Sequence, residues 1–96
     1  GNLKDYGVRE DGSRMLGFWC PGCEEPHSYS VDCKSGSRPC WTWNGDWERP
    51  TFNPSLLYPS KKVRCHLFVT DGRIQYLSDC DHHLAGQTIP IPPWPF

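Results

Sequence analysis

Hydrophobic and polar residues alternate in short runs along this chain, and glycine or proline interrupts each run before a helical period can develop. The clearest run is "RCHLFVTDGRIQYLSDC", residues 64–80, which is broken at its middle by Asp71-Gly72. Asp-Gly and Asn-Gly accept the positive φ angles of a two-residue hairpin loop. Strands at 64–70 and 73–78 are therefore expected to pair with Thr70 against Arg73, Val69 against Ile74, Leu67 against Tyr76, His66 against Leu77 and Cys65 against Ser78. Because side chains alternate across a strand, Cys65, Leu67, Val69, Ile74, Tyr76, Ser78 and Cys80 fall on one face. His66, Phe68, Gln75, Leu77 and Asp79 fall on the other. Asp11-Gly12 predicts a second hairpin joining 3–9 to 14–19, Asn44-Gly45 a third joining 40–43 to 46–49, and "SYSVD" a further strand at 28–32. "HHLAGQ" has room for one helical turn, "KSGSRP" at 34–39 reads as an exposed loop, and "TIPIPPWPF" is expected to run extended, docked through Ile89, Ile91 and Trp94. The fold class this predicts is mostly β, a small single domain over 1–96 built from antiparallel hairpins.

At 96 residues the chain buries a limited share of its surface, so a staple would help it fold. Lys plus Arg number 10 against 11 Asp plus Glu, a formal charge of −1, which excludes a protein whose main work is gripping phosphates. A local patch at Lys61, Lys62 and Arg64 is the one basic feature. No apolar run is long enough to cross a bilayer, and no secretory signal is read at the start. The six cysteines could pair as disulfides, but "CPGC" followed by Cys65-His66 and Cys80 has metal-site spacing. Two intervening residues with a glycine let both sulfurs of Cys20 and Cys23 reach one ion, and Cys65 and Cys80 are diagonal neighbours on one face of the ribbon. The expected ligands are Cys20, Cys23, Cys65 and Cys80 around zinc, with His66 or His82 as alternatives to one of the last two. Four cysteines would close the shell and make the site structural. Metal-bound thiols point to a reducing, cytoplasmic setting, in which Cys33 and Cys40 read as free thiols. His27 and His83 read as surface or turn residues.

On the other face of the ribbon, Asp79 is placed to accept a hydrogen bond from His66 and fix its tautomer. Upstream, Trp41, Trp43 and Trp47 are expected in the core, or lining a peptide groove. In "RPTFNPSLL" the prolines hold the backbone extended. Ser55 there is an ordinary turn residue by composition, and a nucleophile only if the fold sets it beside a base such as His66.

"FWCPGC", "WTWNGDWERPTFNPSLL", "RCHLFVTDGRIQYLSDC" and "HHLAGQTIPIP" occur in the order seen in a family of small bacterial and prophage Cys/His zinc proteins. The chain resembles that family over about residues 15–93. It was formerly a domain of unknown function, sometimes mislabelled ammonia monooxygenase, and it includes the peptidase of bacterial ubiquitin-like (Bub) operons. The resemblance implies that Ser55 is the nucleophile of a serine-type peptidase processing or deconjugating the tail of a ubiquitin-like protein. His66 would be its base, Asp79 the group orienting that base, and His82 a competing base or oxyanion group; Asn53 or nearby amides would be oxyanion donors. It further implies the four-cysteine zinc site and, as partners, the ubiquitin-like substrate and the conjugation enzymes of the same operon. "CDHH" stands where the family more usually has one histidine, and Cys33 and Cys40 match no family position. Two rivals remain: a zinc-ribbon-like binding module without catalysis, and a metallopeptidase whose zinc-bound water uses Glu48 or Asp79 as base.

Overall fold

The computed structural model describes residues 2–33, 40–59 and 64–95. The loop expected at 34–39 and the basic residues at 61 and 62 lie outside them. Eight strands form in chain order: β1 (Lys4–Val8), β2 (Arg14–Cys20), β3 (Glu25–Val31), β4 (Thr42–Trp43), β5 (Phe52–Pro59), β6 (Arg64–Thr70), β7 (Arg73–Tyr76) and β8 (Thr88–Pro90). Among the described residues there is no helix, and 82–87 is a run of turns. The first three strands make one antiparallel sheet and the other five a second, ordered β4-β5-β6-β7-β8.

The two sheets face one another, and their inward positions make the core. Leu16, Phe18 and Cys20 of β2 alternate inward, as do Tyr29 and Val31 of β3. Opposite them lie Phe52 and Leu56 of β5, Cys65, Leu67 and Val69 of β6, and Ile74 and Tyr76 of β7. Tyr29 and Phe52 stack across the gap, with ring centroids 4.1 Å apart and planes 7° from parallel. Such a contact stabilises by about 0.5–1.5 kcal/mol beyond the area it buries. The β6–β7 register is the one the Asp71-Gly72 turn predicts, with Leu67 opposite Tyr76 and Thr70 opposite Arg73. Asp71 (φ 50°) and Gly72 (φ 77°) both take the left-handed conformation that such a loop requires.

Several expectations differ from the structure. Residues 46–49 are not a strand, because polar side chains capture that backbone: Asp46 Oδ1 accepts from the amides of Glu48 and Arg49, and Asn44 Oδ1 from those of Asp46 and Thr51. Trp41 and Trp43 pack against the core, but Trp47 is 40% exposed, its ring edge-on with that of Trp43. Cys33 and Cys40, read as free thiols, form a disulfide, their Cα atoms being 6.0 Å apart. The proline-rich tail docks as expected: Ile91 is buried, its N–H donates to Gly72 O, and its carbonyl accepts from Asn2 Nδ2.

β5 supplies the unforeseen half of the second sheet. Phe52 pairs with Val69 and Leu56 with Leu67, so four steps on β5 span two on β6. Pro54 lies within this bulge, preceded by a cis peptide, and has no N–H to give a ladder. Phe52 and Leu56 both point inward, and Ser55 beside Leu56 is left half-buried.

Candidate active site and metal centre

The outer face of β6 carries the first constellation. Leu57, His66 and Leu77 make a rung across the sheet: Leu57 pairs with His66, and the Leu77 amide donates to His66 O. Ser55 Oγ lies 3.1 Å from His66 Nε2, and His66 Nδ1 lies 3.1 Å from Asp79 Oδ2. An ionised carboxylate only accepts hydrogen bonds, so the ring proton of the neutral imidazole belongs on Nδ1. Nε2 is then a lone-pair acceptor aimed at the serine hydroxyl. The ring is one-quarter exposed and Asp79 45%, so the group opens to solvent. Leu57, 54% exposed, gives this opening an apolar rim.

Asp79 reaches His66 because the chain continues alongside β6 after β7 ends. Cys80 N donates to Leu77 O, and Asp81 N to Arg64 O, closing the ribbon beyond the strand ends. Cys80 Sγ accepts from His66 N at 3.2 Å and donates to His66 O at 3.1 Å, which fixes the backbone of the imidazole residue from behind.

The inner face holds the second constellation. The "CPGC" turn joins β2 to β3, where Glu24 N donates to Cys20 O and Cys23 N points at Cys20 Sγ, 3.4 Å away. Donor atoms of Cys20, Cys23, His27 and Cys65 all lie within 4.8 Å of one another, and these four residues could hold a metal ion. Cys20 Sγ and Cys65 Sγ are 3.8 Å apart. A tetrahedral ion with metal–sulfur bonds of about 2.3 Å spaces its sulfurs by roughly that distance. The acid–base chemistry fits a cation as well. Hydrogen bonding with Cys65 pulls the Cys20 thiol down to about 3 against the cost of burial, with His27 and Tyr76 adding to the pull. Burial and the charge on Cys20 push Cys23 up to about 12. The hydrogen bond to Cys20, and then burial, raise Cys65 above the ordinary thiol range. One thiolate forms readily here, and a second and third need a positive charge among them.

His27 was expected at the surface and is fully buried. The alternation of β3 carries it inward with Tyr29 and Val31, and it stands opposite Phe18 on β2. That alternation extends "SYSVD" back by one residue and could have placed it. Cys80 falls in a second group, its donor within 4.8 Å of those of Cys65 and His82. His82 stands on this inner side. Its Nε2 is 3.4 Å from Cys65 Sγ, its ring meets Tyr76 edge-on, and its Nδ1 accepts from Leu84 N. Since Nδ1 accepts, the neutral ring carries its proton on Nε2, directed at the sulfur. His83 is exposed. Glu48 stands against Gly72 at the turn end of the β6–β7 hairpin. Five residues of β6 separate Cys65 from that end, roughly 17 Å, so Glu48 is not a base for chemistry at the thiols.

Gly22 is the tight point of this arrangement: a Cβ there would come within 2.5 Å of the His82 ring. Gly22→Ala is expected to push His82 off Cys65 and to destabilise the protein by about 1–3 kcal/mol, read as a lower midpoint in urea unfolding with an unchanged slope.

A family model described as "Bacterial ubiquitination-like system serine protease (BubE)" matches residues 3–77. The chain belongs to that family. No curated protein and no solved structure matches it. The BubE match spans Ser55, His66 and all of Cys20, Cys23, His27 and Cys65, while Asp79, Cys80 and His82 lie just beyond it. Among the described residues no helix is long and apolar enough to cross a membrane, which says nothing of strands.

Proposed function

We propose that this chain is a serine-type peptidase that processes or deconjugates the C-terminal tail of a bacterial ubiquitin-like protein. The observation that carries the reading is the hydrogen-bonded series Ser55–His66–Asp79, with 3.1 Å at each step. Ser55 Oγ attacks the carbonyl carbon of the scissile peptide or isopeptide bond while its proton passes to His66 Nε2. The new imidazolium is stabilised by Asp79, which has held the ring in the receptive tautomer throughout. The tetrahedral intermediate collapses as His66 returns the proton to the leaving amine, and an ester on Ser55 remains. Water then gives its proton to His66 and attacks that ester; the C–Oγ bond breaks as His66 returns the proton to Ser55, and the tail leaves as a carboxylate. Asn53 or an amide near Ser55 donates to the oxyanion. An extended tail suits a site on an open sheet face, and Leu57 beside the base gives an apolar side chain somewhere to rest.

The metal in this reading is zinc, held by Cys20, Cys23, Cys65 and His27, since a thiolate-rich set with one imidazole suits that ion. Bound there, it would neutralise the thiolates and tie the β2–β3 turn to β6. Cys80, its sulfur engaged with the His66 backbone, holds the base in place. His82 donates to Cys65 and takes no part in proton transfer. We place the protein in the cytoplasm, with the conjugation enzymes of the same system as its neighbours; disulfides are rare in that reducing setting, so the Cys33–Cys40 bond is one that the cell's thiol pool can open.

Active-site labelling tests the reading. Metal-loaded protein treated with a fluorophosphonate is expected to carry a single adduct, located on Ser55 by mass spectrometry, and His66→Ala is expected to abolish it. Absence of label in folded protein, or a label that survives His66→Ala, would sink the proposal.

A further inference from the structure

Ser55 lies where neither neighbouring strand holds its backbone. The β5–β6 ladder pairs Phe52 and resumes at Leu56, and β4 reaches only Phe52 and Asn53. What holds the residue is a side chain: the Trp41 indole Nε1–H donates to Ser55 O at 3.2 Å. Trp41 belongs to the other sheet as much as to this one. Its amide donates to Ser30 O at 2.9 Å, it bridges to Val31 in parallel, and its ring meets Tyr29 edge-on at 5.3 Å. The preceding residue, Cys40, is disulfide-bonded to Cys33, two residues beyond the end of β3.

We infer that Trp41 is a positioning residue for the nucleophile, and that the Cys33–Cys40 disulfide acts by holding Trp41. The inference rests on the serine-peptidase reading. A carbonyl fixed by the indole sets the orientation of the Ser55 peptide unit, and with it the direction of the Cα–Cβ bond that aims Oγ at His66. The register shift leaves Ser55 without a paired residue on β6, and a displacement of about 1 Å at a reacting atom costs on the order of 10²-fold in rate. The disulfide closes a short loop against the end of β3, so Trp41 keeps its place on Tyr29 and Ser30 while its nitrogen reaches across to β5. The first sheet thereby holds the nucleophile of the second.

Trp41→Phe keeps an aromatic ring against Tyr29 and deletes the N–H. Inactivation by a fluorophosphonate is measured per folded molecule, with the folded fraction taken from thermal melts. The maximal inactivation rate is expected to fall about tenfold, the value of one well-aimed hydrogen bond. The half-saturating reagent concentration and the inflection of the pH profile stay at wild-type values, because the pocket and the His66–Asp79 pair are untouched. Cys33→Ser with Cys40→Ser lowers the maximal rate by a smaller factor. Adding both to Trp41→Phe lowers it no further, because the disulfide acts through the indole. A wild-type rate for folded Trp41→Phe overturns the inference, whatever its melting temperature. Multiplicative losses in the triple variant overturn the role given to the disulfide. Should Trp41→Phe fail to fold, an unchanged rate in the double-cysteine variant overturns the inference alone. Wild-type protein that takes no label at Ser55 overturns the peptidase reading, and this inference with it.

Discussion

Ser55→Ala is expected to lower kcat for release of a C-terminal extension from the ubiquitin-like protein by at least about 10⁴-fold, with KM little changed. The size follows from what would be lost: in the proposed mechanism the hydroxyl, 3.1 Å from His66 Nε2, makes the covalent intermediate. His66→Ala should cost a similar factor, since an alcohol without its base is a poor nucleophile at neutral pH. The double variant should be no slower than either single one, because the two residues act as a unit. Asp79→Asn should cost less, on the order of 10²-fold. Its carboxylate is 45% exposed, and water can replace part of the charge it supplies. Steady-state kinetics on purified, metal-loaded variants would check all four, and full activity in Ser55→Ala would end the serine mechanism.

Stripping the metal is expected to unfold the protein. Structural zinc sites contribute about 10–16 kcal/mol apparent, whereas a whole small domain is stable by only about 5–15 kcal/mol. The candidate ligands come from both sheets, Cys20 and His27 on the first, Cys23 in its β2–β3 turn and Cys65 on the second. A strong chelator should therefore erase the near-ultraviolet circular dichroism of the buried aromatics, and added zinc should restore it at one equivalent. Cys65→Ser should abolish high-affinity binding. Cys80→Ser should retain one equivalent and lose part of the labelling rate, because its sulfur braces the His66 backbone. Loss of the metal in Cys80→Ser would instead make Cys80 a ligand in place of His27.

The ribbon at 64–80 was legible from sequence because its determinants are local. A turn whose two residues accept positive φ sets the register, and alternation then sorts Cys65 from His66 without reference to the rest of the chain. The same locality made Asn44-Gly45 misleading, since Asn44 and Asp46 spend their carboxyl and amide oxygens on nearby N–H groups and no second strand forms. β5 was hidden for the opposite reason. Its prolines argue against a strand, and only tertiary pairing with β6 shows that a two-residue bulge absorbs Pro54. Ser55 was therefore nameable only through resemblance, whereas its approach to His66 is a property of that pairing. His27 was read as a surface or turn residue although the alternation of β3 carries it inward, and Trp41 was placed in the core without its reach to Ser55 O, because what each meets on the other sheet lies at a separation that no short pattern reports.

In β6 a thiol and an imidazole stand on consecutive residues and serve opposite sides of one sheet. Inserting or deleting a single residue between Arg64 and Thr70 would turn every side chain beyond it over, bringing the base into the core or the thiol into solvent. Gaps in alignments of distant relatives should therefore fall at the turns and never within this strand. Transplanting the Ser55–His66–Asp79 group onto another scaffold would require carrying the buried thiol wall along with it.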